Sequence, residues 1–251
     1  MTELHLVAHR GCPLRFPENS LEGYRAAIDA GARFIETDVQ FSADGTPVLF
    51  HDRNLMRICG RPGSIHETSD EDLRDLTLQF PDHPAPAENT AALSSLDDFL
   101  TLLSLHPEVT AFVELKRLPL EHHGVEAVLD TVLPRLDPLA HQVVLISFSL
   151  DVLEAAKERG WQKLGAVLTT WEQRQDPRLT ALAPDYLFCN ITKMPSPHPP
   201  TLPATHTRFA VYDITDFETA CALAENGIHY VETFTLCELL AEQNAARGEE
   251  A

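Results

Sequence analysis

Strand-like and helix-like segments alternate along these 251 residues, and that alternation constrains the fold more than any other feature. Strand starts fall at Leu4, Arg33, Val109, Val143, Leu164, Tyr186, Phe209 and His229, eight in all. Most are separated by stretches whose apolar residues recur near helical spacing. Val125, Val128, Leu129, Val132 and Leu133, within a helix predicted over 120–136, are an example. Strand–helix–strand order implies parallel pairing, because parallel neighbours need a long crossover between them. Eight such units predict an α/β fold, a closed (β/α)8 TIM barrel, for which roughly 250 residues suffice. An open doubly wound sheet is the alternative, but no GxGxxG or Walker-type phosphate loop supports it.

The rhythm breaks once. Residues 53–94 are punctuated by Gly60, Pro62, Gly63, Pro81, Pro84 and Pro86, with one short helical piece from about Ser69 to Leu76. So long a connection reads as an insertion after the second strand, placed where it can cover a site. Rhythm resumes at Ser95, an N-cap for a helix over 96–105. Ser20, or Asn19 before it, caps an earlier helix that Gly31 ends, and 195–200 forms a proline-rich loop. No second domain is signalled, so residues 1–251 are expected to form one unit with 53–94 inserted in it.

The stretch 33–52, RFIETDVQFSADGTPVLFHD, concentrates the chemistry, and it reads as a buried strand ending in two acids, a tight turn and a second short strand ending in His-Asp. Side chains alternate across a strand, so Glu36 and Asp38 share a face that Thr37 does not. Two neighbouring carboxylates raise each other's pKa unless a cation sits between them. Asp44-Gly45 marks a reversing turn, after which Val48, Leu49 and Phe50 deliver His51 and Asp52. In such a barrel the site lies at the C-terminal strand ends. There also fall His9 and Arg10 after the first strand, and Glu114 and Lys116 at the end of the strand over 109–115. Glu36, Asp38 and Glu114 make an all-oxygen trio suited to a hard divalent ion, Mg2+ or Ca2+, rather than zinc. Ser147 has no Gly-x-Ser-x-Gly elbow around it and reads as structural, and Phe148, Tyr212 and Phe234 read as core or rim aromatics.

The formal charge of −19, from 19 basic and 38 acidic residues, argues against general binding to nucleic acid or anionic membranes. An anionic small substrate remains compatible, held through a metal ion and a few local cations. Apolar runs are far shorter than the roughly 20 residues of a membrane span. The opening Met1-Thr2-Glu3-Leu4-His5 lacks the features of a secretory leader. Five scattered cysteines without a CxxC pair fit reduced thiols in a cytoplasmic enzyme. Nothing in the sequence specifies an oligomeric state.

His9-Arg10, Glu36-Thr37-Asp38 and His51-Asp52, supported by Pro17-Glu18-Asn19-Ser20 and Glu114-Leu115-Lys116, resemble the glycerophosphodiester phosphodiesterase family. The resemblance covers essentially the whole chain, and the combined pattern is more specific than any one motif. It implies a single-domain barrel hydrolase that uses a divalent cation to cleave a small glycerophosphodiester into sn-glycerol 3-phosphate and an alcohol, through a cyclic glycerol phosphate. On this reading Glu36, Asp38 and Glu114 hold the metal, Arg10 and Lys116 bind the phosphate, and His9 and His51 form an acid–base pair whose two roles stay open. Two alternatives are a lysophospholipase D-like phosphodiesterase and a catalytically silent metal-binding barrel. The late strands depart from the family pattern. Val211-Tyr212-Asp213 stands where tryptophan is frequent, and Val231-Glu232-Thr233-Phe234 replaces a Thr-Asp-x-Pro-like turn.

Overall fold

A computed structural model describes residues 4–79, 90–195 and 206–248. In chain order its elements are β1 (His5–His9), α1 (Leu21–Asp29), β2 (Phe34–Phe41), β3 (Pro47–Leu49), α2 (Met56–Cys59), α3 (Asp70–Leu73), β4 (Thr77–Leu78) and β5 (Ala91–Ala92). There follow α4 (Leu96–Ser104), β6 (Thr110–Leu115), α5 (Arg117–His123), α6 (Val125–Leu136), β7 (Val143–Ser147), α7 (Leu150–Glu158) and β8 (Leu164–Val167). The last are α8 (Pro177–Leu182), β9 (Tyr186–Asn190), β10 (Arg208–Tyr212), α9 (Phe217–Glu225), β11 (Tyr230–Thr233) and α10 (Leu236–Arg247).

Parallel pairing runs β1, β2, β6, β7, β8, β9, β10, β11 and back to β1, which closes the eight-stranded barrel predicted from the alternation. Each strand is buried on both faces, and its side chains sort by parity. Ile35, Val39 and Phe41 of β2 point outward into the layer shared with the helices. Phe34, on the opposite parity, joins Val7, Phe112, Val144, Ile146, Phe188 and Tyr230 inside the barrel. Continuing each inward series two residues toward the strand end replaces apolar groups with polar ones. Val7 leads to His9, Phe34 to Glu36 and Asp38, Phe112 to Glu114, and Tyr230 to Glu232. The barrel therefore has an apolar plug below and an ionisable layer above. Gly165 belongs to the plug, where a Cβ would lie 2.7 Å from Ile146 Cγ2.

The segment after β2 carries its own apolar cluster, in which Phe50, Leu55, Ile58, Ile65, Leu73 and Leu78 pack together beside the barrel mouth. β3 pairs antiparallel with the end of β2, and β4 pairs with β5. Residues 80–89, within the predicted 53–94 insertion, lie outside the described residues, as do 196–200 of the proline-rich loop. No described helix is long and apolar enough to cross a membrane.

Two local readings are corrected. β2 does not end at its acids; it runs on through Val39, Gln40 and Phe41 because β3 supplies hydrogen-bonding partners there. The helix predicted over 120–136 is two helices, α5 and α6, divided at Gly124, whose φ of +81° interrupts the helical backbone.

Candidate active site

Five strands and the turn after β3 bring the ionisable layer to one cleft of about 280 Å3. His9, Arg10, Glu36, His51, Glu114 and Lys116 line it together with Phe148, Tyr212, Asp213 and Glu232. Register explains the assembly. His9 is level with Glu36 on β2, and Asp38 is level with Glu114 on β6.

Glu36 and Asp38 are both buried and two residues apart, yet their surroundings differ. Asp38 accepts from Asn19 Nδ2 at 2.9 Å and is ion-paired with Arg10 Nε at 3.0 Å and Lys116 Nζ at 3.1 Å. Burial is the largest influence on its carboxyl and acts upward. Lys116, Arg10, His51 and the Asn19 bond together outweigh it and hold Asp38 well below the usual carboxylate range. Glu36 has no such company: its Oε2 is buried without a hydrogen-bond donor. Burial first, and then the charges of Asp38, Glu232 and Glu114, push Glu36 well above the usual range. Glu114 is also raised by burial, against the opposing pull of Lys116 Nζ at 2.9 Å.

Asn19 makes Asp38's position rigid. With φ of +57°, it accepts at Oδ1 from Tyr24 Oη at 2.8 Å, Thr37 Oγ1 at 3.2 Å and the Asp38 amide at 3.2 Å. Ser20 caps α1 by accepting from the Gly23 amide, which fixes the turn that presents Asn19.

Each histidine is gripped at one nitrogen. His9 Nε2 lies 3.0 Å from Glu232 Oε1, and the ring stacks on Phe234 with centroids 4.1 Å apart. Its Nδ1 is buried without a hydrogen-bond partner, 3.7 Å from Asp213 Oδ1. His51 Nδ1 lies 2.7 Å from Asp52 Oδ1, and Gln40 Nε2 donates to the His51 carbonyl at 3.1 Å. Arg57 of α2 donates to Asp52 at 2.7 Å and to Glu18 at 2.7 Å, and Glu18 also accepts from Arg10 at 3.2 Å. Through Arg57 the segment after β3 is thus tied to both histidine-bearing regions.

All seven residues singled out from the sequence meet here: His9, Arg10, Glu36, Asp38, His51, Glu114 and Lys116. Glu232, Asp213 and Arg57 were not anticipated. The first had a legible signal, since Glu232 follows the inward-facing Tyr230 by two. Asp213 sits at φ of +69° just past β10, and Arg57 lies on a four-residue helix, so neither had one. Phe148 and Tyr212, read as core or rim, line the cleft, whereas Ser147 is buried and donates to the Leu115 carbonyl as a structural group.

Carboxylate oxygens of Glu36, Asp38 and Glu114 lie within 4.8 Å of one another, and so do donor atoms of His9, Glu36 and Glu232. The first set is all oxygen, and the undonated Glu36 Oε2 is the kind of atom a hard cation satisfies, so these residues fit a divalent ion.

The model of the glycerophosphoryl diester phosphodiesterase family matches residues 9–211. The uncharacterized protein YqiK of Bacillus subtilis is 28% identical over 179 residues, 71% of this chain and 72% of its own length. Human glycerophosphodiester phosphodiesterase 1 is 34% identical over 104 residues, 38% of this chain but 31% of the human protein. Among solved structures, an Oleispira antarctica phosphodiesterase in complex with the product sn-glycerol-3-phosphate superposes with TM-score 0.79 at 20% identity, over 96% of this chain and 97% of that one. A glycerophosphodiester phosphodiesterase from Parabacteroides distasonis gives 0.73 at 19%, over 99% of each. These two share the fold. With the family model spanning both histidines, the acidic trio and both cations, the chain belongs to the glycerophosphoryl diester phosphodiesterase family, a family of phosphoric diester hydrolases.

Proposed function

We propose that this protein hydrolyses small glycerophosphodiesters to sn-glycerol 3-phosphate and an alcohol, with a divalent cation, Mg2+ or Ca2+, held by Glu36, Asp38 and Glu114. The observation that carries the reading is the pairing of two carboxylate-gripped histidines with that acidic trio in one cleft. The chemistry a divalent cation supplies in such a set is charge neutralisation at a phosphoryl oxygen and a lower pKa for an attacking hydroxyl.

The chain's own groups account for the rest. Arg10 and Lys116 bind the phosphoryl oxygens and stabilise charge that builds on them during attack. Both are held cationic against burial by Asp38, Glu18 and Glu114. His9 and His51 move the protons. With Nδ1 of His51 committed to Asp52, that ring keeps Nε2 for the substrate, while Nε2 of His9 lies between Glu232 at 3.0 Å and Glu36 at 4.0 Å. One accepts the proton of the attacking glycerol hydroxyl, and the other donates to the departing alcohol oxygen. Water then opens the cyclic phosphate with the roles reversed. Phe234 stacked on His9 limits water at that ring and fixes its plane.

The test is mutational. His9→Ala and His51→Ala should each lose turnover by about 10²-fold or more while keeping the wild-type circular dichroism spectrum. Near wild-type turnover in either variant removes that histidine from the mechanism.

A further inference from the structure

Cys12 and Cys237 are 225 positions apart in the chain, and their sulfur atoms lie 3.2 Å apart. Both are free thiols, and neither touches the cleft. Cys12 follows Gly11 in the loop leaving β1 and is 3% exposed. Cys237 is the second residue of α10 and is partly exposed. The two face each other beside the seam where β1 pairs with β11, the line along which the barrel closes on itself. Arg15 and Glu238 form an ion pair over the same seam, so two independent side-chain pairs span it. We propose that Cys12 and Cys237 are a reversible disulfide site that fastens the last helix of the barrel to its first loop.

A disulfide needs its sulfurs at about 2.05 Å, so the pair must close by roughly 1.2 Å. The Cys12 side is the more tightly held. The Cys12 carbonyl accepts from the Arg15 and Phe16 amides, and Asn19 donates to the Arg10 carbonyl. A Cβ on Gly11 would stand 2.8 Å from the Gly23 carbonyl carbon, which leaves that loop no room to shift. α10 starts without a side-chain cap, so the closing movement falls on its first turn. His9 and Arg10 thus keep their places.

The two-electron oxidant is a peroxide. Cys237, the more exposed residue, takes one oxygen as the O–O bond of the peroxide breaks, which gives a sulfenic acid and water. The Cys12 sulfur attacks the sulfenic sulfur, the S–O bond breaks, and the hydroxyl leaves with the Cys12 proton as a second water. Two thiols and one hydrogen peroxide become one disulfide and two waters. Burial, and then its contact with Cys237, raise the Cys12 thiol, which suits the resolving rather than the initiating role. Because the cross-link joins residues 225 positions apart, it closes a long loop in the unfolded state.

The experiment uses the full chain with Mg2+ present, treated with equimolar hydrogen peroxide, alkylated, and digested without reductant for mass spectrometry. The expected product is a single linked peptide pair, Cys12 to Cys237, two hydrogens lighter than its parts and separated again by dithiothreitol. Cys59, Cys189 and Cys221 should remain alkylatable. The oxidised protein should melt roughly 5–10 °C above the reduced one. Cys237→Ala should abolish both the linked pair and the rise, while Cys221→Ala should show both. Full alkylation of all five thiols, or oxidation that stops at Cys237 with Cys12 still free, overturns the proposal. So does a linked pair that brings no rise in melting temperature.

Discussion

Glu36 and Asp38 present the same chemistry to the barrel interior, and it is their neighbours that set them apart. Asp38 holds two buried cations in place; Glu36 is a buried carboxyl crowded by three others. Removing the Asp38 charge takes from two buried cations the partner they share, leaving Arg10 with Glu18 and Lys116 with Glu114, so Asp38→Asn should cost about 3 kcal/mol of stability in EDTA. Glu36→Gln removes a burdened group and should leave the EDTA melting temperature unchanged or raise it. The same variant should need at least about 10-fold more metal for half-maximal activity. Equal destabilisation by both variants would contradict this division of roles. Asp52 supplies a pH test. Burial pushes its carboxyl up, but the His51 and Arg57 hydrogen bonds more than offset this and hold it well below the usual range. A carboxyl lowered by folding stabilises the protein above the ordinary carboxylate range, and that contribution is lost as pH falls through the folded value. Asp52→Asn should therefore flatten the fall in stability below about pH 4, measured by urea unfolding at a series of pH values. An unchanged slope there would remove Asp52 from the acid-sensitive set.

Among elements, the strands were more legible than the segments joining them. Alternation of buried and ionisable positions is imposed by the pleat, so the 34–38 run alone showed which acids share a face. Ser20 and Ser95 announced their helices because a hydroxyl at the first turn meets an otherwise orphaned amide. The split at Gly124 was not legible, since apolar spacing continues across it and only the backbone angle interrupts. β2's extra residues were missed for a related reason: strand length there depends on a partner, β3, that joins from beyond the turn. Arg57 shows the limit most clearly, because its partners Glu18 and Asp52 come from two other segments. Inside the barrel, Gly165 makes a strong elemental prediction. Gly165→Ala puts a Cβ 2.7 Å from Ile146 and 3.2 Å from Phe188, so it should cost about 1–3 kcal/mol by urea unfolding. An unshifted midpoint would mean that the plug is looser than its contacts imply.

For the molecule as a whole, charge is the organising problem. The chain carries a net −19, and the acids at the cleft, Glu36, Asp38, Glu114, Asp213 and Glu232, outnumber its cations, Arg10 and Lys116. A cleft of that sign repels a phosphodiester, and both cations are already engaged by acids. The proposed activity therefore requires added positive charge, for which the Glu36, Asp38 and Glu114 trio has the right donors. Release of sn-glycerol 3-phosphate from glycerophosphocholine and glycerophosphoethanolamine, followed by a coupled assay with EDTA, Mg2+ and Ca2+ arms, tests this most directly. The account predicts release with at least one of the two ions and none in EDTA. Equal release in EDTA, or no release from either diester in any arm, would contradict it.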